Sequence, residues 1–351
     1  MVGLDNGGTS DNATLLDGAG RFLVPGMLER PSRVREGPDA ALRALRDSFD
    51  GVLDVTGVPR AAVVAVGLCS PGPASATGVI SRRGATNFAH PSWRGFDLRA
   101  AAEETLGLPV VYTNDGNAAG LYAHQVHFGS GAGARSSVSV VIGTGLGGGV
   151  VHLGRVVTGA TGTAGELGHV HIPMDGLLEP GQPVPVCNCG KAGDAESVAS
   201  LSAIERSLLP YWLSRFPDHE LATVQPRSEA ARRVRALGEA GDPMAAAIFR
   251  QQAVAVGRLL GIVADVLDPD AYFVGGGVVE AEPAFRDWFL ATVRQHTALR
   301  DEAAETAAFA LVPDLDMAGA RGAAMAAMSA LATATGDGAT AVDPGMVQRR
   351  Q

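Results

Sequence analysis

Short apolar runs that stop at glycines, alternating with longer stretches of helical spacing, dominate the hydrophobic pattern of this chain. Residues 2–5 and 13–16 read as strands on either side of a glycine turn. Residues 39–49 place Leu42, Leu45 and Phe49 on one stripe and predict a helix. AAVVAVGL (61–68) and LPVVYTND (108–115) read as short buried strands, the second ending at Asn114 and Asp115. A helix of small residues is expected from about 117 to 127. Residues 136–149 then open a new unit as the first one opened: a β-branched strand, a glycine turn and another strand in GVVHLGRVV. Val256, Leu259, Leu260, Val263, Val266 and Leu267 mark a long amphipathic helix over 245–267. AYFVGGGVV reads as a buried strand, followed by a helix over 282–296 and an Ala-rich helix in DMAGARGAAMAAMSALATA. One strand–glycine turn–strand opening found twice points to two related α/β halves. Residues 335–351, polar with glycine and proline, read as a disordered tail.

Composition sharpens this picture. The 351 residues are long for one core, so two domains are expected. Glycine makes up 46 of them, against roughly 7% in a typical protein, which implies many tight turns or close approaches of backbone to ligand. The net charge of −9 comes with no basic block, which argues against nucleic acid as a partner. Residues 61–81 carry no charge, but Pro71, Pro73 and several glycines interrupt them, so no membrane span is expected there. The opening MVGLDNGG lacks the basic region of a signal peptide. Three cysteines, two of them one residue apart, make no disulfide framework, and the cytoplasm is the expected compartment.

Four motifs carry candidate chemistry. In GLDNGGTS the amides of Gly7, Gly8 and Thr9 can face a phosphate, and Asp5 can hold magnesium through water. The same residues also suit a surface hairpin with an Asn-Gly turn. GTGLGGG (143–149) matches the glycine spacing of a dinucleotide fingerprint, yet a β-branched hairpin follows where that fingerprint needs a helix. Two such hairpins point instead to a nucleotide phosphate chain gripped between domains. In TNDGNAAG, Asp115 ends a buried strand, where α/β sheets place catalytic groups, and can orient and deprotonate a hydroxyl. It can equally be a helix N-cap. Finally, Cys187 and Cys189 with His169 are three donors suited to zinc. Asp194 or His171 can supply a fourth, or the two cysteines can simply be buried in a loop.

In this order and spacing the motifs resemble the ROK family of repressors and sugar kinases, part of the actin, Hsp70 and hexokinase superfamily. The resemblance runs through GLDNGGT, TNDGNAAG, GTGLGGG, GELGH, GGGV and AGARGAA. It implies an α/β, two-lobed actin-like ATPase (ribonuclease H-like) fold with an interdomain cleft. The first lobe would comprise residues 1–117 plus about 318–334, and the second 118–317. By resemblance, Asp115 looks like the catalytic base, and Asn87, Asn114, Glu166, His169 and Glu196 match positions that hold sugar hydroxyls. Asp5, Gly7, Gly8, Thr9, Gly143, Thr144 and Gly145 match the phosphate side of the nucleotide site, and Gly275, Gly276 and Gly277 its adenosine side. His169, Cys187 and Cys189 match zinc ligands, with Asp194 where the family carries another cysteine.

Two further departures are Ser10, where the family has a basic residue, and the missing acid after the NDxN segment, where Ala123 and His124 stand. Together they point away from glucose. A glucose-like C7-cyclitol, phosphorylated on its hydroxymethyl group, is the analogous niche. The implied activity is an ATP- and magnesium-dependent kinase acting on a hexose-like ring, as a homodimer or larger homo-oligomer. A sugar-binding protein without kinase activity is the alternative. DNA-binding regulators of the family carry a helix-turn-helix ahead of the first turn, which here begins at Gly7.

Overall fold

The computed structural model describes residues 1–72, 74–83, 87–278 and 280–335. Along the chain run β1 (Val2–Asn6), β2 (Ser10–Leu15), β3 (Glu29–Pro31), α1 (Pro38–Thr56), β4 (Val66–Ser70), α2 (Leu98–Leu106), β5 (Val110–Asn114) and α3 (Asp115–Phe128). There follow β6 (Ser137–Ile142), β7 (Leu146–His152) and β8 (Arg155–Val156), then α4 (Leu201–Ala203), α5 (Leu209–Arg215), α6 (Arg227–Glu239) and α7 (Pro243–Leu267). The described chain ends through β9 (Ala271–Gly276), α8 (Pro283–Gln295), α9 (Asp301–Thr306), β10 (Ala308–Leu311) and α10 (Leu315–Thr335).

Two five-stranded sheets result. The first has the order β3-β2-β1-β4-β5, and the second, read from one edge, β8-β7-β6-β9-β10. The second order is the first with every number raised by five, so the repeated opening in the sequence is a repeated topology. In the first sheet β1 pairs antiparallel with β2 and parallel with β4, and β4 pairs parallel with β5.

The strands divide their faces by alternation. Val2 and Leu4 of β1 lie in one core cluster with Leu45, Phe49 and Val52 of α1, Val66 and Leu68 of β4, and Leu98 of α2. Truncating a side chain such as Phe49, which has no exposed surface, costs about 3–5 kcal/mol. The opposite face of β1 carries Gly3 and Asp5 and packs on α10. The small residues of α10 let it lie against the strand, and a Cβ on Gly3 would strike the Ala320 carbonyl oxygen. Tyr122 and Arg321 tie α10 to α3. The Tyr122 hydroxyl donates to Asp314 Oδ2 at 2.6 Å, Arg321 Nη1 donates to that hydroxyl at 2.7 Å, and Arg321 also pairs with Asp314.

The chain divides into two compact units: one from Met1–Ser137, Gly149–Gly165 and the segment beginning at Val312, the other from Val138–Gly148 and Glu166–Leu311. The expected break at 117 is displaced, because α3 packs on α10 and so belongs with the first sheet. The strand expected from 61 starts only at Val66, after a 3-10 turn over Arg60–Ala62. In the second unit α7 forms as its pattern predicts, capped by Asp242, whose carboxylate accepts from the Ala245 amide at 2.8 Å. α7 is long and apolar enough to cross a membrane by composition, but 72% of its most apolar window is buried inside the protein, as a core helix requires. The tail expected over 335–351 lies, beyond Thr335, outside the described residues.

Candidate functional site

In the first unit the site begins at the β1–β2 turn. The Gly7 amide donates to the Ser10 carbonyl at 2.9 Å and closes a hairpin over Gly7, Gly8 and Thr9. The Asn87 side chain lies against it, its Oδ1 2.8 Å from where a Cβ on Gly8 would be. At the base of the turn Asn6 and Asp11 face each other in register, and Asn6 Nδ2 donates to Asp11 Oδ1 at 2.6 Å. Neither has any exposed surface. Burial, the main cause, pushes the Asp11 carboxyl up to about 7.

Asp5 and Asp115 come together beside this turn. Asp5 lies on the α10 face of β1, and a Cβ on Gly319 would strike its carboxylate. Asp115 follows β5 as the first residue of α3. Burial raises the Asp5 carboxyl to about 7, the Asp115 charge adds to the rise, and a hydrogen bond from the Cys69 thiol opposes it. Burial also pushes the Asp115 carboxyl up, against hydrogen bonds from the Gly116 and Asp115 amides and the Asn114 side chain. The N-cap of α3 is Asn114, whose Oδ1 accepts from the Gly116 amide at 2.9 Å and the Asn117 amide at 3.3 Å. The cap reading left open for Asp115 thus falls to its neighbour. Two buried carboxylates, one raising the other's affinity for protons, are a donor set suited to a divalent cation.

In the second unit Gly143, Thr144 and Gly145 form the β6–β7 turn, Gly275 and Gly276 end the neighbouring strand β9, and Gly277 follows it. The Gly277 amide donates to the Ile142 carbonyl at 3.2 Å, which sets the two glycine runs side by side. Arg235 of α6, which no sequence motif announced, donates to the Gly277 carbonyl at 2.6 Å.

The metal-type cluster also forms here. Donor atoms of His169, Cys187, Cys189 and Asp194 all lie within 4.8 Å of one another. His169 Nδ1 is 3.4 Å from Asp194 Oδ2 and 3.7 Å from Cys187 Sγ, and Cys189 Sγ is 3.7 Å from Asp194 Oδ2. A zinc tetrahedron with bonds of about 2.0–2.3 Å sets its donors about 3.3–3.8 Å apart, so these edges fit. The two thiol sulfurs sit closer than this spacing, at 2.8 Å. Asp194 is anchored by its other oxygen, which accepts from the Ser197 amide at 2.9 Å. Burial pushes the Asp194 carboxyl up, but hydrogen bonds from His169, Cys187 and Ser197 outweigh it and hold it below the ordinary range. The same Asp194 contact raises His169 to about 8. Of the two open fourth donors, Asp194 joins the cluster; His171 pairs with Asp194 only as a backbone bridge. Glu166 precedes the short turn Leu167–His169, and Glu196 lies close enough to His169 to act on its charge.

The sequence model of the ROK family matches residues 1–330. The chain belongs to the ROK family. It is 31% identical over 298 residues to a glucokinase of Halalkalibacterium halodurans, covering 84% of each chain. Among solved structures it is similar to a ROK hexokinase from Thermus thermophilus, with 32% identity, a TM-score of 0.69, and 93% and 96% of the two chains covered. It is equally similar in fold to a ROK glucokinase from Streptomyces griseus in complex with glucose and AMPPNP. There the identity is 28%, the TM-score 0.69, and the coverage 93% and 98%. Its fold is accordingly the two-lobed actin-like ATPase fold of ROK kinases.

Within this ROK chain the expected residues are divided by unit. Asp5, Gly7, Gly8, Thr9, Asn87, Asn114 and Asp115 belong to the first; Gly143, Thr144, Gly145, Glu166, His169, Cys187, Cys189, Asp194, Glu196 and Gly275–Gly277 belong to the second. Three features escaped sequence reasoning: the Asn6–Asp11 pair, Gly319 under Asp5, and Arg235 at Gly277. Only the first left a signal, a polar residue at position 6 where the alternation of Val2 and Leu4 calls for an apolar one.

Proposed function

We propose that this ROK protein is an ATP- and magnesium-dependent kinase that phosphorylates a primary hydroxyl of a hexose-like ring, a sugar or a C7-cyclitol. The observation that carries the reading is Asp115 at the end of β5, its carboxyl raised by burial and set beside Asp5. A carboxylate with raised proton affinity is a better base for a hydroxyl than an ordinary one. Asp115 accepts the hydroxyl proton as that oxygen bonds to the γ-phosphorus and the bond to the ADP oxygen breaks. Asp5 would hold magnesium, which neutralises phosphate charge when bound. The amides of Gly7–Thr9 and Gly143–Gly145 donate to phosphate oxygens, and Gly275–Gly277 border the nucleoside. Asn87, Asn114, Glu166, His169 and Glu196 hold the ring hydroxyls, since a buried hydroxyl left unpaired costs about 1–3 kcal/mol. His169, Cys187, Cys189 and Asp194 would hold a structural zinc that fixes the loop leading to Glu196.

The glucose and AMPPNP held by the Streptomyces griseus relative support a sugar as acceptor and an adenine nucleotide as donor. Ser10, Asp194 and the missing acid near Ala123 motivate the wider choice of acceptor. The test is coupled ADP release with a panel of hexoses and C7-cyclitols, alongside calorimetric binding of the same compounds. ADP release that depends on one such acceptor is the expected result. Binding without ADP release for every acceptor would make the chain a sugar-binding protein instead.

A further inference from the structure

Glu196 enters the reading above as a ligand for a ring hydroxyl, yet its carboxylate is already committed elsewhere. The Leu146 amide donates to Glu196 Oε2 at 3.0 Å. The carboxylate lies directly under the β6–β7 turn: a Cβ on Gly145 would stand 2.5 Å from Oε2 and 3.9 Å from Oε1. One oxygen is therefore tucked beneath the turn, and Oε1 has no hydrogen-bond partner among the described residues. The segment after Glu196 holds the turn as well, the Leu201 amide donating to the Gly143 carbonyl at 2.9 Å and the Ser202 amide to the Thr144 carbonyl at 3.1 Å. The Glu196 backbone is itself fixed, its amide donating to the Gly168 carbonyl at 2.8 Å. Of the contacts that reach the turn from this segment, the one from Glu196 alone is made by a side chain, and it alone fixes an amide rather than a carbonyl.

The geometry points to Glu196 as a positioning residue for the nucleotide. Oε2 sets the direction of the Gly145–Leu146 peptide in the phosphate turn, while Oε1 is left to meet a hydroxyl of the acceptor. This rests on the kinase reading and deepens it: one carboxylate reports acceptor occupancy to the phosphate turn, so the two substrates bind with a mutual coupling. The role needs an acceptor atom at the reach of a glutamate side chain. It does not need a negative charge.

The test is titration of AMPPNP with magnesium, without any sugar, into the wild-type protein and two variants. Glu196→Gln keeps the reach and the accepting oxygen but loses the charge. Glu196→Asp keeps the charge but falls short of Leu146. The expected dissociation constant for AMPPNP is within about twofold of wild type for Gln and about tenfold weaker for Asp, the loss of one hydrogen bond to a charged group. Acceptor affinity should fall in both. Unchanged AMPPNP affinity in Glu196→Asp would overturn the assignment and leave Glu196 a sugar ligand only. Equal weakening in both variants would overturn it in favour of a charge effect. A wild-type protein that bound no AMPPNP would instead overturn the kinase reading on which the assignment stands.

Discussion

The two glycine turns occupy equivalent places in two sheets of the same strand order, yet they are loaded differently. Around the first, Gly7–Thr9, stand three carboxylates, Asp5, Asp11 and Asp115, all raised by burial. Around the second, Gly143–Gly145, the ties are mainly backbone ones, to residues 201 and 202, with a single carboxylate accepting from Leu146. The shared topology fixes where turn amides emerge; it says nothing about charge. Buried carboxyls have accumulated at one turn, and geometric stiffening at the other.

Substitutions can break this asymmetry in graded steps. Asp115→Asn should have the largest effect, lowering turnover by about a thousandfold or more as the general base is lost. Acceptor binding measured by calorimetry should stay near wild type, and near-normal turnover would remove Asp115 from the role. On the other side, Asp194→Ala should weaken zinc by about 100-fold or more in a chelator competition, since one donor of four is gone. Asp194→Cys should retain one equivalent of zinc by elemental analysis. Gly319→Ala pushes a methyl group into the Asp5 carboxylate and should destabilise the protein by about 1–3 kcal/mol. The measurement is a denaturant midpoint, and a neutral result would mean that Asp5 is free to move aside.

The smallest expected effect concerns Asp11. Its folded carboxyl titrates at about 7 against 3.8 ordinarily, so between those values the folded protein holds a proton that the unfolded chain releases. The contribution of Asp11 to stability therefore falls as pH rises across that window. Asp11→Asn should flatten the decline in melting temperature between roughly pH 4 and 7 by a few degrees. A melting temperature that rises across the window in the wild type, and loses that rise in Asp11→Asn, would show that the carboxylate is paired in the folded state.

The sequence made the repeated openings legible because a β-branched run, a glycine turn and a second run are local features. α7 and α10 were legible for the same reason, through spacing and small residues. The metal-type cluster was readable from donor chemistry, although which of His171 and Asp194 joins it depends on a backbone bridge. What escaped was tertiary. β3 and β10 are edge strands recruited by their neighbours, and the assignment of α3 to the first unit follows from packing on a helix some two hundred residues away. Arg235 sits on a polar helix with nothing local to mark it. Glu196 was visible as a carboxylate, but its amide partner is fifty residues distant in the chain.

α10 supplies one face of the first sheet and walls in Asp5, but it lies at Leu315–Thr335, after every residue of the second unit. During synthesis the first sheet therefore emerges long before the helix that completes it, whereas the second unit is closed once Leu311 has left the ribosome. The part of the chain made first therefore finishes folding last: α1 and α2 can cover one face of its sheet early, but the face carrying Gly3 and Asp5 waits for α10 through most of translation. Pulse proteolysis of ribosome-bound chains halted with Leu311 just outside the exit tunnel should protect the second unit and digest the first.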